Sequence, residues 1–574
     1  MLPTPNEFRE RFTGIAESPP PCHLRAPKDD RDVLIEPPPD RVPELIARNL
    51  ELRRQLDYDL QGRPLIDISS SARRELLDAA RRWTAQYRNI AALPADAAGP
   101  IFLAGHQPQM FHPGVWLKNF ALAALAAEHD AAAVTLIVDG DAIVDSSLAV
   151  PAGSIENPRI VRVPFDRPEP HVPYEERRIE DRELFASFGR RVMEELRTFV
   201  PHPLIERYWP LVEERARHTD NLGLCLAQAR HQLEESFVVP PSGGSEAGGT
   251  LELAQSRVCS GEAFQWFVAH VLARLPWFLP FYNDAISDYR RVHRLRSRSH
   301  PAPALAKHGE WLEAPFWTWT LESPRRRRLF ARAAADEIVL SDGERWEARL
   351  PLSAEADAGA AVERLLDLAG DGVRIRPRAL MTTLWARLAL GDLFIHGIGG
   401  AKYDWVTDRL IERFFGLRPP GFLVLSATIL LPIERHHISS QDIRTLDQEL
   451  RETAYHPERF MTGSEEDPRP MVTDLQRPEV ADLVSTKRRW IETPQTKANA
   501  RQRCRAIREI NAALQPWLDP ERRRLVERRN EAVQERQAQE ILDSRDYAFC
   551  LFPEPTLREF FARLLPTITG GAGC

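Results

Sequence analysis

Residues 101–140 have the sequence IFLAGHQPQMFHPGVWLKNFALAALAAEHDAAAVTLIVDG, and this stretch decides the predicted fold. Its first residues, Ile101 to Leu103, form a short apolar run that ends at Gly105, which is typical of a buried strand. After a loop, residues 115–130 are apolar on nearly all sides, as in a buried helix. A second β-like run, AVTLIVD, ends in acidic residues. Strand, helix and strand in this order form a βαβ unit, which predicts a parallel sheet.

The loop between the first strand and the helix is the first candidate ligand site. Ligands of open α/β sheets bind at the carboxyl ends of strands, and the N–H groups at a helix start favour a phosphate or carboxylate. The candidate residues of the loop and the first helical turns are Gly105, His106, Gln107, Pro108, His112, Gly114, Lys118 and Asn119. The alternative is a proline-stiffened turn whose histidines are satisfied within the protein.

Asp139 and Asp141 follow the second strand directly and form the second candidate site. Carboxylates at this edge can hold a ribose hydroxyl, a Mg²⁺ ion or an amino group. The alternative is a turn in which aspartate bonds its own backbone, and the residues alone leave both open. The spacing does not support a metal site built from four protein ligands, so no residue is predicted as a structural metal ligand.

A second α/β signature covers residues 377–433, in which a strand runs into a glycine-rich turn and a helix. After His396, this turn carries the third group of candidates, which are Gly397, Gly399, Gly400, Lys402, Tyr403 and Asp404. Glycines let the backbone approach a ligand closely, although such a turn alone is a weak signal. Lys402 adds a point charge suited to phosphate, and the chain has only six lysines.

The composition excludes several classes of protein. Hydrophobic residues make up 43% of the 574 residues and charged residues 28%, which is ordinary globular usage. A net charge of −7 gives no case for nucleic-acid binding. No apolar run has the length of a membrane span, and we find no secretory signal. The six cysteines form no CxxC pair, so we expect a protein of the reducing cytoplasm.

Composition and pattern divide the chain into four predicted parts. Residues 1–95 comprise a proline-rich extended arm, up to about residue 45, and helices. Residues 96–440 hold the α/β core, with insertions at about 155–375. Residues 441–545 form a helical hairpin, and residues 546–574 return to the core.

The predicted hairpin is antiparallel, and its turn lies at residues 518–521. Asp519 suits a helix cap and Pro520 suits the first position of a helix. The two helical runs carry thin apolar seams, with Ile510 and Leu514 on the first and Leu525 on the second. Such a projection packs either on a partner or on its own domain, and the sequence leaves both open.

In these motif regions the sequence resembles a known family, the cysteine ligases of bacillithiol biosynthesis (BshC). Where the family has a strand, a GQQPGLFGGPLY-like loop and a helix, this chain has AGHQPQMFHPGVWLKNF. VDGDAIVD stands in place of an EDHDF-like segment, and HGIGGAKYDW in place of an IGGPGE-like turn followed by a Tyr-Trp pair. The order of the motifs agrees, as does the long helical hairpin. The resemblance covers about residues 40–565.

The resemblance implies a Rossmann-like parallel-sheet core, akin to nucleotidyl-transferring synthetases, with inserted connecting regions and a coiled coil associated with dimerisation. It assigns Gln107, Pro108, Phe111 and Gly114 to the first ligand loop, and Asp139, Asp141, Gly397, Gly399 and Gly400 to the facing walls.

The chain departs from the family at several motif positions. His106 replaces a glutamine, and His112-Pro113 replaces a pair of glycines. The acidic segment loses its histidine, and Ala401-Lys402 stands where Pro-Gly is usual. These changes make the loops more favourable to anions and put the family's substrate, glucosaminyl malate, in doubt.

The sequence and the resemblance together predict a carbon–nitrogen ligase that joins cysteine, or a related amino compound, to an amino-sugar or carboxylate substrate. ATP or ADP and Mg²⁺ are the expected cofactors, and a homodimer through the hairpin is the expected assembly. His106, His112, Lys118 and Lys402 would stabilise phosphate charge in the transition state. Asp139 or Asp141 would orient the amine or the Mg²⁺ ion. Two alternatives stay open: a non-catalytic dimer that binds a nucleotide or sugar, and a nucleotidyl or sugar transferase on the same core.

Overall fold

A computed structural model describes residues 24–90, 99–143, 145–237, 249–297, 299–433, 438–461 and 477–570. The chain divides into two compact units. Unit 1 comprises Met1–Val150, Arg162–Pro432 and Arg545–Cys574, and unit 2 comprises Pro151–Val161 and Ile433–Ser544.

The strands are β1 (Val33–Glu36), β2 (Ile101–His106), β3 (Ala132–Ile137), β4 (Ser147–Gly153), β5 (Pro158–Pro164), β6 (Leu251–Ala254), β7 (Lys307–His308), β8 (Trp311–Thr320), β9 (Ser323–Ala334), β10 (Glu337–Ser341), β11 (Glu347–Leu350), β12 (Val373–Pro377), β13 (Leu393–His396) and β14 (Leu423–Ala427).

The α-helices are α1 (Val42–Arg54), α2 (Leu65–Thr84), α3 (Pro113–Glu128), α4 (Arg182–Leu196), α5 (Ile205–Arg215), α6 (Leu222–Glu235), α7 (Gln255–Val258), α8 (Glu262–Ala273), α9 (Leu275–Val292), α10 (Gly359–Gly370), α11 (Ala379–Trp385), α12 (Ile398–Leu410), α13 (Ser440–Tyr455), α14 (Pro478–Glu492), α15 (Ala500–Leu542) and α16 (Glu554–Ile568). Short 3₁₀ helices cover Pro39–Arg41, Pro457–Phe460 and Phe549–Leu551, and π-helical turns cover Ala386–Leu390 and Ile411–Phe415.

The main sheet of unit 1 has the order β1-β14-β13-β2-β3-β6, and all of its strands except β1 run parallel. The predicted βαβ unit is confirmed: β2 pairs in parallel with β3, from Ile101 opposite Ala132 to His106 opposite Ile137. Both strands are almost entirely buried, as expected of a sheet with helices on its faces. The carboxyl ends of β13, β2, β3 and β6 therefore lie along one edge.

The prediction of an arm with little structure over residues 1–45 is wrong for part of its length. Residues 33–36 form β1, which pairs antiparallel with β14 from Val33 opposite Ala427 to Glu36 opposite Val424. The apolar run Val33-Leu34-Ile35 completes the sheet edge, and the flanking prolines end the strand. Residues 1–23 of the arm lie outside the described residues.

A second sheet in unit 1 is antiparallel and has the order β11-β10-β9-β8-β12, with β7 beside β8. Asp342-Gly343 between two apolar runs predicts a hairpin from the sequence, and β10 and β11, which pair antiparallel, flank it in the structure. The Asp342 carboxylate accepts hydrogen bonds from three backbone N–H groups of the turn. This sheet brings β12 into the region of the candidate site.

The predicted turn at residues 518–521 is wrong, because α15 is one continuous helix of 43 residues in unit 2. Its buried side chains Ile510, Leu514, Leu518 and Leu525 continue at helical spacing through the predicted turn. They share a core with residues of α14 and of the segment after α13. A proline inside a helix costs about 3 kcal/mol. The continuous apolar seam outweighs that penalty at both Pro516 and Pro520.

No helix among the described residues combines the length and the apolar character that a membrane span needs.

Candidate functional site

A polar cavity of about 410 Å³ lies at the carboxyl ends of β3 and β6. Asp139 follows β3 on this edge, and Ser256 follows β6. Glu175, Glu176, Arg374 and Arg376 also line the cavity, together with Trp83, Asn221, Leu224, Arg257, Ser260 and Ala369. The cavity therefore lies at the edge where parallel sheets bind their ligands.

Asp139 is the most buried acid of this cavity, with 3% of its surface exposed. Its carboxylate accepts one hydrogen bond from the Ser256 N–H at 2.9 Å and another from the Ser256 hydroxyl at 2.5 Å. Burial and the neighbouring charge of Glu175 raise the pKa of Asp139 to about 7, against the opposing effect of these bonds. A carboxyl group with a pKa near neutrality can both accept and donate a proton.

The other charges of the cavity form a cluster of both signs. Arg376 donates a hydrogen bond from Nε to the Glu175 carboxylate at 2.7 Å. Arg374 lies 3.6 Å from both Glu175 and Glu176, too far for a close ion pair. Burial and the charge of Glu175 raise the pKa of Glu176. The cavity thus presents guanidinium and carboxylate groups to a ligand side by side.

The loop that carries Glu175 is fixed from two sides. The Asn221 side chain donates hydrogen bonds to the carbonyls of Tyr174 and Glu175, both at 2.9 Å, while its oxygen caps α6. The Glu175 N–H donates to the carbonyl of Asp139 at 2.8 Å. These bonds place Glu175 beside Asp139 without the help of a ligand.

Asp141, the second predicted acid, is not among the residues that line this cavity. It accepts hydrogen bonds from the Gln107 side chain and from Arg326, both at 2.7 Å. The structure therefore joins the first two candidate regions through the Gln107–Asp141 contact. Pro108 of the same loop is buried against the start of α6 at Gly223.

His106 and Asn119 are buried inside the protein. The His106 ring lies 3.1 Å from the carbonyl of Gln107 and 3.3 Å from the Asn119 amide. Burial and the charges of Arg230 and Lys118 hold the pKa of His106 well below its usual range, so the ring is neutral. The structure therefore agrees with the alternative interpretation of this loop for His106, in which the histidine is hydrogen-bonded within the protein and does not bind a ligand.

Lys118 is also buried, and its ammonium group donates to the carbonyl of Gly105 at 3.0 Å. Burial lowers the pKa of Lys118 to about 8. The lysine therefore stabilises the end of β2 from inside, where it contacts a backbone carbonyl.

A buried network of charges extends from Asn119 to β6. The Asn119 amide and the Trp116 indole N–H donate to Glu234 at 2.8 and 2.7 Å. Arg230 forms ion pairs with both Glu234 and Glu252, and all three side chains are almost fully buried. The region beneath the first predicted loop is therefore a closed polar core.

The start of α3 packs closely on the end of β14. A Cβ atom at Gly114 would lie 2.0 Å from the carbonyl oxygen of Ala427, so only glycine fits there. His112 caps this helix end without a side-chain hydrogen bond. Burial and the charge of Arg545 lower the pKa of His112 to about 4, so this ring is neutral as well.

The third candidate region is partly helix rather than turn. Residues 398–410 form α12, so Gly399 and Gly400 lie in its first turn. A Cβ atom at Gly400 would lie 2.5 Å from Nδ1 of His396. Gly397 and Gly399 have no atom within 4 Å of an added Cβ, so they border open space.

The polar side chains of this third region differ in burial. Asp404 is fully buried and is bonded to His396 at 2.7 Å and Arg387 at 3.0 Å, which lowers its pKa against the effect of burial. Lys402 is exposed, and Tyr403 is half-buried beside the His300 ring. Asp404 therefore has a structural position, whereas Lys402 can meet a ligand.

Sequence reasoning missed Glu175, Glu176, Ser256, Arg374 and Arg376. They lie in or beside the predicted insertions, at positions without a recognisable motif. One signal was present: RIRPR at residues 374–378 places arginines at alternate positions of a strand, which puts charge on one of its faces.

The described residues contain no group of three or more His, Cys, Asp or Glu side chains placed to hold a metal ion. No protein-family model matches the chain, and a search of the curated proteins gives no match.

Proposed function

We propose that this protein is a carbon–nitrogen ligase of the BshC type, in which a Rossmann-like core joins cysteine, or a related amino compound, to a carboxylate or amino-sugar substrate. The observation that carries the proposal is the Asp139 carboxyl group, which lies buried in a cavity of both charges and has a pKa of about 7. Strongly perturbed carboxyl groups in clefts mark functional sites.

The charges of the cavity suit the two ends of an amino acid. Glu176 and Asp139 offer carboxylates to an ammonium group, and Arg374 and Arg257 offer guanidinium groups to a carboxylate. Arginine forms bidentate bonds with carboxylates, which fixes the orientation of the ligand. A zwitterion would therefore bind with its amine directed at Asp139.

Asp139 would serve as the general base. An amine is nucleophilic only after it loses a proton, and a carboxylate with a pKa near the working pH accepts that proton efficiently. The amine then forms the new bond to the activated carbonyl carbon, whose leaving group departs with its electron pair. Ser256, bonded to both oxygens of Asp139, is a positioning residue.

A nucleotide would supply the activation of the carboxylate. The residues that fit its phosphates are at the start of α12, where Gly397 and Gly399 border open space and Lys402 is exposed. His106 and Lys118 do not fit this role, because both are buried and bonded to groups of the protein. Any Mg²⁺ ion would need the phosphates as its main ligands, because the described residues offer no group of three or more His, Cys, Asp or Glu side chains for a metal.

Turnover of the Asp139→Asn variant tests the proposal. Asparagine keeps the shape and can still accept from the Ser256 N–H, but it cannot accept the proton, and loss of a general base lowers kcat by about 10²–10⁴-fold. The assay follows formation of ADP or AMP from ATP together with loss of free cysteine, with a panel of carboxylates and amino sugars as the second substrate. Asp57→Asn, an exposed substitution on the same unit, is the control. Wild-type turnover by Asp139→Asn would refute the role of Asp139.

Nucleotide binding is tested separately by thermal stabilisation with ATP, ADP and AMP, with and without Mg²⁺. A ligand at 100 times its Kd adds about 2.7 kcal/mol to the stability of the folded state. We expect ATP or ADP to stabilise the wild-type protein and Lys402→Ala to weaken the effect. Absence of stabilisation by every nucleotide would argue against ATP dependence and favour a sugar-binding protein.

We also propose a homodimer formed through the helices of unit 2. Of the six large apolar side chains that are exposed in the described part of the chain, Ile160, Tyr455, Ile491 and Val526 belong to this unit. The resemblance also associates this region with dimerisation, and a contiguous patch of such side chains would form the association surface. Light scattering should give twice the mass of the chain, and a monomer at all concentrations would contradict this assembly.

A further inference from the structure

A second cavity, of about 500 Å³, lies in unit 1 between α2 and the start of α8. It borders the first cavity, because Arg257 and Ser260 line both. Its wall also includes Arg74 and Arg82 of α2, and Trp385 at the end of α11. Both volumes fall in the range of small-molecule sites.

The guanidinium groups of this second cavity lack ion-pair partners. Among the described residues, no carboxylate lies within 4 Å of Arg74, Arg82 or Arg257, whereas Arg374 and Arg376 of the first cavity face Glu175. Arg74 donates a hydrogen bond only to the Ser71 hydroxyl. Three cations face two carboxylates here, so the cavity has a net positive charge.

The two carboxylates belong to Glu75 and Asp78, and Glu75 already occupies the start of α8. Its carboxylate lies 3.4 Å from the N–H of Ala263, and a Cβ atom at Gly261 would lie 2.1 Å from it. Burial raises the pKa of Glu75. The helix start is therefore satisfied within the protein, which leaves the arginines to bind a ligand.

The three arginines reach the cavity from its solvent side. Arg74, Arg82 and Arg257 all have exposed side chains. The Arg257 guanidinium group lies 5.8 Å from the centroid of the Trp83 ring, which fixes it at the border of the two cavities. An anion that enters from solution can therefore meet these guanidinium groups directly.

We propose that the second cavity binds the anionic part of the ligase's co-substrate through Arg74 and Arg82, with Arg257 at the border of the two cavities. This inference rests on the proposed function and extends it. The co-substrate carries carboxylate or phosphate groups at one end, and its reacting group extends past Arg257 and Ser260 to the first cavity. Arginine is the side chain best suited to both anions.

Calorimetric titration of the purified full chain with inorganic phosphate, pyrophosphate and succinate tests the site without any catalytic assay. We expect at least one anion to bind, and the Arg74→Gln, Arg82→Gln double variant to bind it about tenfold or more weakly, because charge-assisted bonds are lost. Tighter binding of pyrophosphate identifies a phosphorylated co-substrate, and tighter binding of succinate identifies a dicarboxylate.

The matched control is Arg48→Gln, which changes an exposed arginine of α1 that lines neither cavity and should bind the anions as the wild type does. Asp139→Asn should also bind them normally, so failure of the ligase proposal does not imply failure of this one. Equal affinity in the wild type and the double variant, or no binding of any of the three anions, would overturn the proposal.

Discussion

The carboxyl ends of β2 and β3 are neighbours in one parallel sheet, yet one is closed and the other is open. At the end of β2, His106 and Lys118 turn inward and bond to Asn119 and to the Gly105 carbonyl. At the end of β3, Asp139 borders a cavity of about 410 Å³. The position of a residue at a strand end therefore does not establish that it meets a ligand.

The difference follows from what covers each end. The helix after β2 begins with apolar residues, and Trp116 packs on Phe549 and Phe561 of the C-terminal segment at 4.5 and 5.6 Å. The Phe549 N–H also donates to the carbonyl of Phe111 at 2.8 Å. After β3 the chain instead continues through Asp139 and Gly140 into a loop with charged side chains. Aromatic packing closes the first end, whereas charged side chains line a cavity at the second.

The largest effect on stability should come from the closed end, through Arg230→Met. This change leaves Glu234 and Glu252 buried without their cation, and removal of one partner from a buried ion pair costs about 3–5 kcal/mol. Urea unfolding measures the loss. Arg190→Gln, which breaks an exposed pair with Glu194, should cost at most about 1 kcal/mol. Similar small losses in both variants would show that the network beneath β2 is not a closed core.

The next prediction compares a glycine that is in close contact with another backbone segment and a glycine that borders open space. Gly114→Ala would place a methyl group 2.0 Å from the Ala427 carbonyl oxygen, so we expect a loss of about 1–3 kcal/mol. Gly399→Ala adds the same methyl group where nothing lies within 4 Å, in the first turn of α12. Alanine favours a helix over glycine by up to about 1 kcal/mol, so this variant should be as stable as the wild type or more so. Thermal unfolding of the two variants gives the comparison directly.

The sequence predicted the parts of the molecule that depend on local pattern. Alternation of apolar runs with helical stretches predicted the β2-α3-β3 unit, and Asp342-Gly343 predicted a hairpin. The pattern failed where long-range packing decides the outcome. The continuous apolar seam of α15 overrides Pro520, and the pairing of Val33–Glu36 with β14 changes an extended arm into a strand.

The candidate site was predictable only in part, for the same reason. Asp139 and Asp141 were expected at the end of β3, and the contact of Asp141 with Gln107 joins two regions as the motifs suggested. The side chains that complete the cavity come from β12, from the loop at residues 174–176 and from the start of α7. Contacts between such distant segments have no local signal in one sequence.

The last comparison concerns the pH dependence that Asp139 contributes to stability. Its pKa is about 7 in the folded protein and near 3.8 in the unfolded chain, so the folded state binds the proton more tightly. That contribution is fully present below about pH 4 and is lost as the pH rises to about 7, with a slope of at most about 1.4 kcal/mol per pH unit. In Asp139→Asn this loss should be absent. The stability of the variant relative to the wild type should therefore rise between pH 4 and 7 and stay constant above pH 7.

Glu252, whose pKa burial also raises to about 7, is common to both proteins, so its contribution cancels from the difference. Unfolding curves measured across this range test the environment of Asp139 without substrate, and parallel curves would show that its carboxyl group is not desolvated as the cavity requires.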